Sequence, residues 1–380
     1  MKEYDYIIIG AGCAGLSLLM RIIDADTKGE KKILLLDKAE KNVNDRTWCF
    51  WEKDKGYFED IIYRTWTDLQ FSTQNFSKQL DTGGYSYKMI RGIDFYTYCF
   101  DRIKRYKNIE IKYTDVVSAR LDENIYAIET PNETIQVKAA FVFNSIADNA
   151  VNKNAWLLKQ HFKGWTIETD HNAFNKNKAL FMDFSIEQKS YEAAFVYMLP
   201  LSEQKALIEY TIFSKEILAQ EIYETALNDY ISNSLKIESY RVTDTEFGVI
   251  PMTNHSFDFY RRGIYYIGTA GGQTKASTGY TFRFIQKQSD MIVEHLKKGD
   301  NQIHTKANSR FHLYDSILLR VLCTHQLSGK EIFTRLFNAI PAYRIFKFLD
   351  NETSFAEELS ILNSMPVKIF LPAAVKQMMR

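Results

Sequence analysis

Three glycines at the spacing Gly10-x-Gly12-x-x-Gly15 follow directly on the apolar run Tyr6-Ile7-Ile8-Ile9. Such glycines let the chain turn tightly, bring backbone N–H groups close to a pyrophosphate and pack a helix on a strand. Ala14 is counted with them as a nucleotide-binding position. The run Leu16 to Ile23 reads as an apolar helix whose free N–H groups would meet phosphates. A second strand, Lys32 to Asp37, ends on an acid about 20 residues past the last glycine, in register for a ribose hydroxyl. The other chemical candidate is Glu209. On an extended strand it shares a face with Leu207, Thr211 and Phe213, while Ile208, Tyr210 and Ile212 share the opposite face. Both faces are mostly apolar, which keeps the carboxyl from water. At an ordinary pKa of about 4.3, roughly 1 in 500 such groups is protonated at pH 7. Burial lifts a carboxyl by up to about 3–5 pH units and makes it a standing proton donor. A glutamate at a strand edge paired with Lys or Arg fits this strand equally well. Asp183, between Phe181 and Ser185 on a neighbouring apolar strand, is a candidate to share a proton with Glu209 or hold it; a satisfied polar residue is the plainer reading.

The surrounding pattern supplies elements to position these groups. Strand, helix and strand occupy residues 1–50, and short polar and aromatic strands with a turn at Gly83-Gly84 fill 56–90 as an inserted ribbon. Arg91 to Arg105 has helical periodicity, Ile109 starts a strand, 115–143 reads as a β-meander, and Ala140 to Asn144 returns to a parallel sheet. Strands Ala179 to Ile186, Ala193 to Leu199 and Ala206 to Phe213, a helix from about Lys215 to Leu235 and a strand near Tyr240 form an antiparallel sheet with one covering helix. Gly263 to Gly268 resumes a buried parallel strand, 281–298 is helical, and the tail from 305 is helical, aromatic and basic. The expected fold class is α/β: a Rossmann-like dinucleotide domain from 1–70, 90–158 and 256–300, an inserted antiparallel-sheet substrate domain from 71–89 and 159–255, and a helical C-terminal region from 301–380.

Composition narrows the function. The 380 residues suit two domains or one large one with an insertion. With 48 basic and 47 acidic residues, no bulk field draws nucleic acid. The four cysteines lie far apart without C-x-x-C spacing, so neither a disulfide framework nor a metal site is expected. No signal peptide and no apolar run of membrane-spanning length is read, which points to a cytoplasmic protein, free or surface-bound. Aromatics make up 14% of the chain; a bulky core explains them, and so does a pocket for a large apolar partner.

A second glycine turn, Gly268-Thr269-Ala270-Gly271-Gly272, again lies between strand and helix. Flavoproteins of the aromatic-hydroxylase architecture use such a late turn to meet the ribityl chain and pyrophosphate again, so FAD is favoured over NAD. Thr269 stands where those proteins carry an acid, leaving ribityl contacts to a hydroxyl or the backbone. Arg46 and Arg91, beside a strand and a helix, are positioned to meet pyrophosphate or flavin; surface arginine is the alternative. Gly268, Thr269, Gly271 and Gly272 join the cofactor-binding set.

Further segments carry a family resemblance. Asp45-Arg46-Thr47-Trp48-Cys49-Phe50-Trp51, Gln160 to Trp165, Phe181 to Phe184, Leu207-Ile208-Glu209-Tyr210-Thr211, Gly248 to Pro251, and the late glycine turn with Ser277 to Tyr280 resemble the signatures of lycopene beta-cyclases, in order over nearly the whole chain. The resemblance implies an enzyme that closes both acyclic ends of lycopene into beta-ionone rings. It uses reduced FAD supplied through NAD(P)H, with no net redox change. A proton adds to the terminal double bond, the C5=C6 bond captures the cation, and a proton leaves C6. Glu209 holds the family's I-E-x-T acid–base position. Thr47, Trp48, Phe50, Trp51 and Tyr280 would bind substrate, and the aromatic faces would each stabilise the cation by about 0.5–2 kcal/mol. Reduced, anionic flavin would be a stronger electrostatic partner. Because lycopene is insoluble in water, peripheral contact with the inner face of the cell membrane is expected through the aromatic and basic stretch Ile332 to Leu349, for which a helical cap is the alternative. A monooxygenase or isoprenoid reductase on the same scaffold, consuming NAD(P)H in step with product, is the rival enzyme. A flavin-binding protein without catalysis is the rival outside enzymes.

Overall fold

The computed structural model describes residues 1–146, 152, 154–189, 192–300, 302–304 and 309–379. The N-terminal apolar run becomes the strand Lys2–Ile9, central to a largely parallel sheet. It pairs in parallel with Thr134–Asn144 on one side and Ile33–Asp37 on the other, and Ile264–Tyr266 and Ile109–Tyr113 extend the sheet outward. Alternation sends Tyr6, Ile8, Ile33 and Leu35 to one core and Ile7, Ile9, Leu34 and Leu36 to another. Both faces are covered, so these strands read as unbroken apolar runs. Helices Cys13–Ala25 and Phe282–Lys298 cover the first face. Arg21 ties them together, reaching Asp290 at 2.5 Å and Gln286 at 2.9 Å. The meander strands Ser118–Asp122 and Ile125–Glu129 cover the second face.

The inserted sheet has seven strands in the order Arg241–Thr253, Leu157–Glu168, Lys205–Ser214, Ala193–Pro200, Lys178–Phe184, Asp68–Thr73, Phe76–Gln79. It departs from the expected sheet in three ways. Lys178–Phe184 and Asp68–Thr73 run parallel. The strand Asp68–Thr73 enters this sheet ahead of the boundary expected after residue 70. The long strand Leu157–Glu168 was not legible in the pattern, and Arg241–Thr253 was expected only as a strand near Tyr240, because glycines and charges break apolar alternation in both. The covering helix is shorter than expected, Gln220–Asp229 followed by a wider turn over Tyr230–Ser234. A three-stranded ribbon, Thr47–Glu52, Ser86–Arg91 and Arg64–Trp66, lies against the glycine-turn domain and the inserted sheet.

Helices Ser309–Cys323, Gly329–Ala339, Ala342–Leu349, Phe355–Asn363 and Val367–Met378 form the tail. The stretch 332–349, expected at a lipid interface, is instead a cap. Ile332, Phe333, Leu336, Phe337, Ile345, Phe346 and Leu349 are buried against the inserted sheet and ribbon. Its aromatic spacing follows a buried helix face, so these side chains are withdrawn from any lipid. Phe346 is fully buried and stacks on Trp51 with centroids 4.8 Å apart. Phe346→Ala should therefore cost about 3–5 kcal/mol of stability. Urea denaturation would measure it, with exposed Leu371→Ala as a control expected within about 0.5 kcal/mol of wild type.

Candidate active site

The two glycine turns meet. A side chain at Gly268 (φ +63°) would fall 2.6 Å from the Ala14 methyl, and one at Gly15 would fall 1.9 Å from the Gly10 carbonyl. Gly12 differs: a side chain there would touch nothing within 4 Å. Gly12 also heads the helix Cys13–Ala25 with no side-chain cap, so the helix's first N–H groups open onto space. That space is a cleft of about 510 Å³ bordered by Gly12, Ala14, Arg46, Trp48, Thr269 and Tyr280, and by Glu209 on its far wall. Within its wall, Gln160 Oε1 and the Thr278 hydroxyl are buried without hydrogen-bond partners. Asp37, at the strand end as expected, accepts the Ala11 N–H at 2.6 Å and the Ala39 N–H at 3.1 Å, and pairs with Lys41 at 2.9 Å. Arg91 is not on this cleft. It pairs with Asp94 at 2.6 Å, lies 3.9 Å over the Tyr63 ring, and borders an adjoining hollow with Thr47 and Glu246.

Glu209 belongs to a row of residues running across four strands. Tyr197, Glu209, Gly164 and Glu246 are successive cross-strand partners, so their side chains emerge on one face. Gly164 lies between the two acids and has no side chain; one there would sit 3.0 Å from Glu246 Cγ and 3.2 Å from its Oε1. The two carboxyls are close enough across it to perturb each other's ionisation. Each is also capped by a threonine: Thr211 donates to Glu209 Oε1 at 2.7 Å, and Thr47 donates to Glu246 Oε2 at 2.6 Å. Glu209 keeps some surface on the cleft and Glu246 on the adjoining hollow, while protein surrounds both. Burial, then the neighbouring Glu246 charge, pushes Glu209 up from the usual carboxylate range. Burial raises Glu246 as well.

Asp183 is not part of this row. It aligns with Val196, which aligns with Tyr210, on the opposite face. There it accepts the Tyr230 hydroxyl at 2.7 Å and the Ser185 N–H at 2.8 Å. The two-residue period of a strand separates it from Glu209, which corrects the expected partnership. The same period divides the R-T-W-C-F-W segment. Thr47, Cys49 and Trp51 face the carboxyl pair and the tail, whereas Trp48 and Phe50 face the glycine-turn domain. Trp48 still borders the cleft; Phe50 does not, being buried in a stack on Phe282 at 4.3 Å. Trp51 is buried between Phe346 and Tyr280. Tyr280 lines the cleft, its hydroxyl 3.3 Å from those of Tyr87 and Tyr197. Sequence reasoning missed Glu246, Gly164, Tyr87 and Tyr197. Glu246 stands two residues before the quoted Gly248, on a strand expected only near Tyr240 and without a register, so nothing paired it with Glu209.

An α/β frame holding two glycine turns over an inserted sheet is the architecture of flavin-dependent oxidoreductases, and solved structures bear this out at the level of fold. A flavoprotein/dehydrogenase from Cytophaga hutchinsonii superposes with TM-score 0.66 at 14% identity, over 100% of this chain and 99% of that one. A geranylgeranyl bacteriochlorophyll reductase-like protein from Thermoplasma acidophilum gives 0.63 at 14% identity, over 99% and 98%. A p-nitrophenol 4-monooxygenase from Pseudomonas putida gives 0.60 at 12% identity, over 99% and 98%. No curated protein matches by sequence. The family model described as lycopene cyclase protein matches residues 5–374, and the chain belongs to the lycopene cyclase family.

The raised carboxyl fixes a pH dependence of stability. Between the unfolded glutamate pKa of about 4.3 and the higher folded value, the native state holds a proton the unfolded chain has released. Stability therefore falls as pH rises through that window, by up to about 1.4 kcal/mol per pH unit. Glu209→Gln should remove this slope. Urea melts at pH 6, 7 and 8 would show a smaller loss with pH in the variant than in the wild type.

Proposed function

We propose that this chain is a lycopene beta-cyclase that works with FAD and converts lycopene through gamma-carotene to beta-carotene. The observation that carries the reading is a half-buried, proton-holding carboxyl on the wall of the cleft into which both glycine turns open. The family assignment supports the substrate class. Gly10, Gly12, Ala14 and Gly15 would hold the pyrophosphate with the helix N-terminus behind it. Gly268, Thr269, Gly271 and Gly272 would line the ribityl side, Asp37 would offer its remaining lone pairs to ribose, and Arg46 would add positive charge. Gln160 Oε1 and the Thr278 hydroxyl are partnerless on the same wall, as groups awaiting a polar ligand would be. When bound in its reduced state, drawn from NAD(P)H, the flavin would supply negative charge next to the cationic intermediate.

Glu209 gives its proton to the terminal double bond of a folded polyene end. The tertiary cation that results is attacked by the C5=C6 π electrons, which closes the ring and moves the charge to C5. Loss of the C6 proton to the Glu209 carboxylate forms the ring double bond and restores the starting protonation state. Substrate and product are isomers, so no electron is left over. Tyr87, Tyr197, Tyr280 and Trp48 wall the cation with aromatic groups; burial raises the three phenols, which stay protonated and poor as nucleophiles. Glu209→Gln should retain flavin and leave lycopene uncyclised. Pigment chromatography of lycopene-accumulating cells expressing either form tests this, and rings formed at wild-type rate by the variant would refute it.

The hydrocarbon substrate calls for a lipid source. Among the described residues no helix is long and apolar enough to cross a membrane. The last two helices instead bear an apolar outer face. Phe355, Leu359 and Leu362 line one helix, and Val367, Leu371, Val375 and Met378 line the other, all exposed. Lys368 and Lys376 flank the second stripe, and Val367–Met378 contains no acid. We assign peripheral membrane contact to this face. Leu371→Asp with Val375→Asp should cut flotation with anionic liposomes at least about fivefold without changing the melting temperature, and unchanged flotation would exclude the face.

A further inference from the structure

We propose that Glu246 is a positioning residue for the reaction, accepting the Glu209 O–H across the gap left by Gly164. The pair then holds one proton and one negative charge, with Glu209 on the cleft and Glu246 on the hollow beside it. The inference rests on the reading of Glu209 as proton donor and adds a second carboxyl that nothing in the family signatures of this chain singled out. Three features carry it. The two acids lie in one cross-strand row with a glycine between them. Thr211 and Thr47 occupy one oxygen of each acid, which leaves the second oxygen of each for a shared proton. A methyl at Gly164 would press on Glu246 at 3.0–3.2 Å.

Two carboxylates in contact cannot both ionise cheaply, so one proton is retained. With Glu209 read as the donor to the polyene, its O–H is the donor within the pair and Glu246 the acceptor. When Glu209 yields its proton, the pair holds two negative charges beside the new cation. The proton released from C6 restores one shared proton. Groups facing the pair from other elements do not supply this charge. Cys49 on the ribbon, Tyr197 on the next strand and Tyr280 on the late loop are held in their neutral forms, mainly by burial. Asp244, on the Glu246 strand, adds like charge, and Arg46 opposes it.

The test is the pH profile of cyclisation by the flavin-loaded enzyme, together with infrared titration of the protonated carboxyl band. Without the Glu246 charge, Glu209 should lose its proton earlier. In Glu246→Gln the basic limb should fall at least about one pH unit lower, cutting the ratio of activity at pH 8 to that at pH 6 about tenfold. The carboxyl band should shift by the same amount even in a slow variant, and Glu246→Asp should recover part of the limb. Gly164→Ala should move the limb in the same direction as Glu246→Gln. A limb and band unmoved in Glu246→Gln, with activity lowered equally at every pH, would overturn the proposal and leave Glu246 as a support for Thr47. Glu209→Gln separates the two readings: an active Glu209→Gln sinks the donor role itself, whereas an inactive one with an unshifted Glu246→Gln sinks only the pairing.

Discussion

Two acids on strands separated by a third can touch only if the middle strand gives way. Neighbouring strands lie about 4.8 Å apart, so residues two strands over are roughly 10 Å apart at the backbone, with a side chain normally between them. Gly164 removes that side chain, and the floor of the cleft repeats the device. A side chain at Gly248 would collide with the Phe162 ring at 2.4 Å, and one at Gly279 with Gln160 Oε1 at 2.5 Å. Along the strand Leu157–Glu168, Gln160 and Phe162 each lie over a glycine of a neighbouring element, while Gly164 receives a side chain from its neighbour. The cleft is shaped by these substitutions of hydrogen for side chain, and the carboxyl pair is one outcome of them.

The tail keeps the pair dry from the other direction. Phe333, Phe337, Ile345 and Leu349 close a small apolar hollow beyond Tyr197 and Tyr280, against Phe181, Phe195 and Phe213. Trp51 fixes the join, stacked on Phe346 and edge-on to Tyr280. The hydroxyls of Tyr87 and Tyr197 each meet that of Tyr280 at this boundary, which gives three phenols polar partners among hydrocarbon side chains. The hollow is lined by aromatic and aliphatic side chains together with Thr278 and the two tyrosines. Low polarity around a carboxyl pair strengthens its field on any charge nearby.

The parallel sheet was legible because its central strands Lys2–Ile9 and Ile33–Asp37 are buried on both faces where they pair and announce themselves as apolar runs. The glycine turns were legible because their chemistry is local: a few residues fix both geometry and purpose. The inserted sheet was half legible. Its three apolar strands read correctly, but Leu157–Glu168 and Arg241–Thr253 carry Gln160, Gly164, Glu246 and Gly248 where an alternating pattern would place hydrophobes. Those interruptions are the site. Strands that build a polar cleft lose the signal that would reveal them, and cross-strand register, which sets Glu246 opposite Gly164, is not written in any one segment. Asp183 failed for the same reason in reverse: its strand was read, but the register that puts it on the far face was not. The stretch 332–349 carried the composition of an interfacial helix, which a core-facing helix with solvated lysines and arginines shares.

The two faces of the inserted sheet separate support from chemistry. On the helix-covered face, His161 and Asp183 are both engaged. His161 bonds Ser214 and Tyr223 at 2.7 Å through its two ring nitrogens, and burial pushes its pKa down to about 4, so it stays neutral. Asp183 is held by Tyr230 and a backbone N–H. On the cleft face the accounts are left open: Gln160 Oε1 and Thr278 lack partners, and two acids hold each other in place of a cation. Both faces belong to the same strands, so this contrast cannot come from differences in burial or strand type alone. A fold selected only for stability would pair or remove such groups, since each unpaired buried polar atom costs about 1–3 kcal/mol. Gln160 Oε1 and the Thr278 hydroxyl lie in the wall of the cleft that Glu209 also borders, so unpaired polar groups and the raised carboxyl share one cavity.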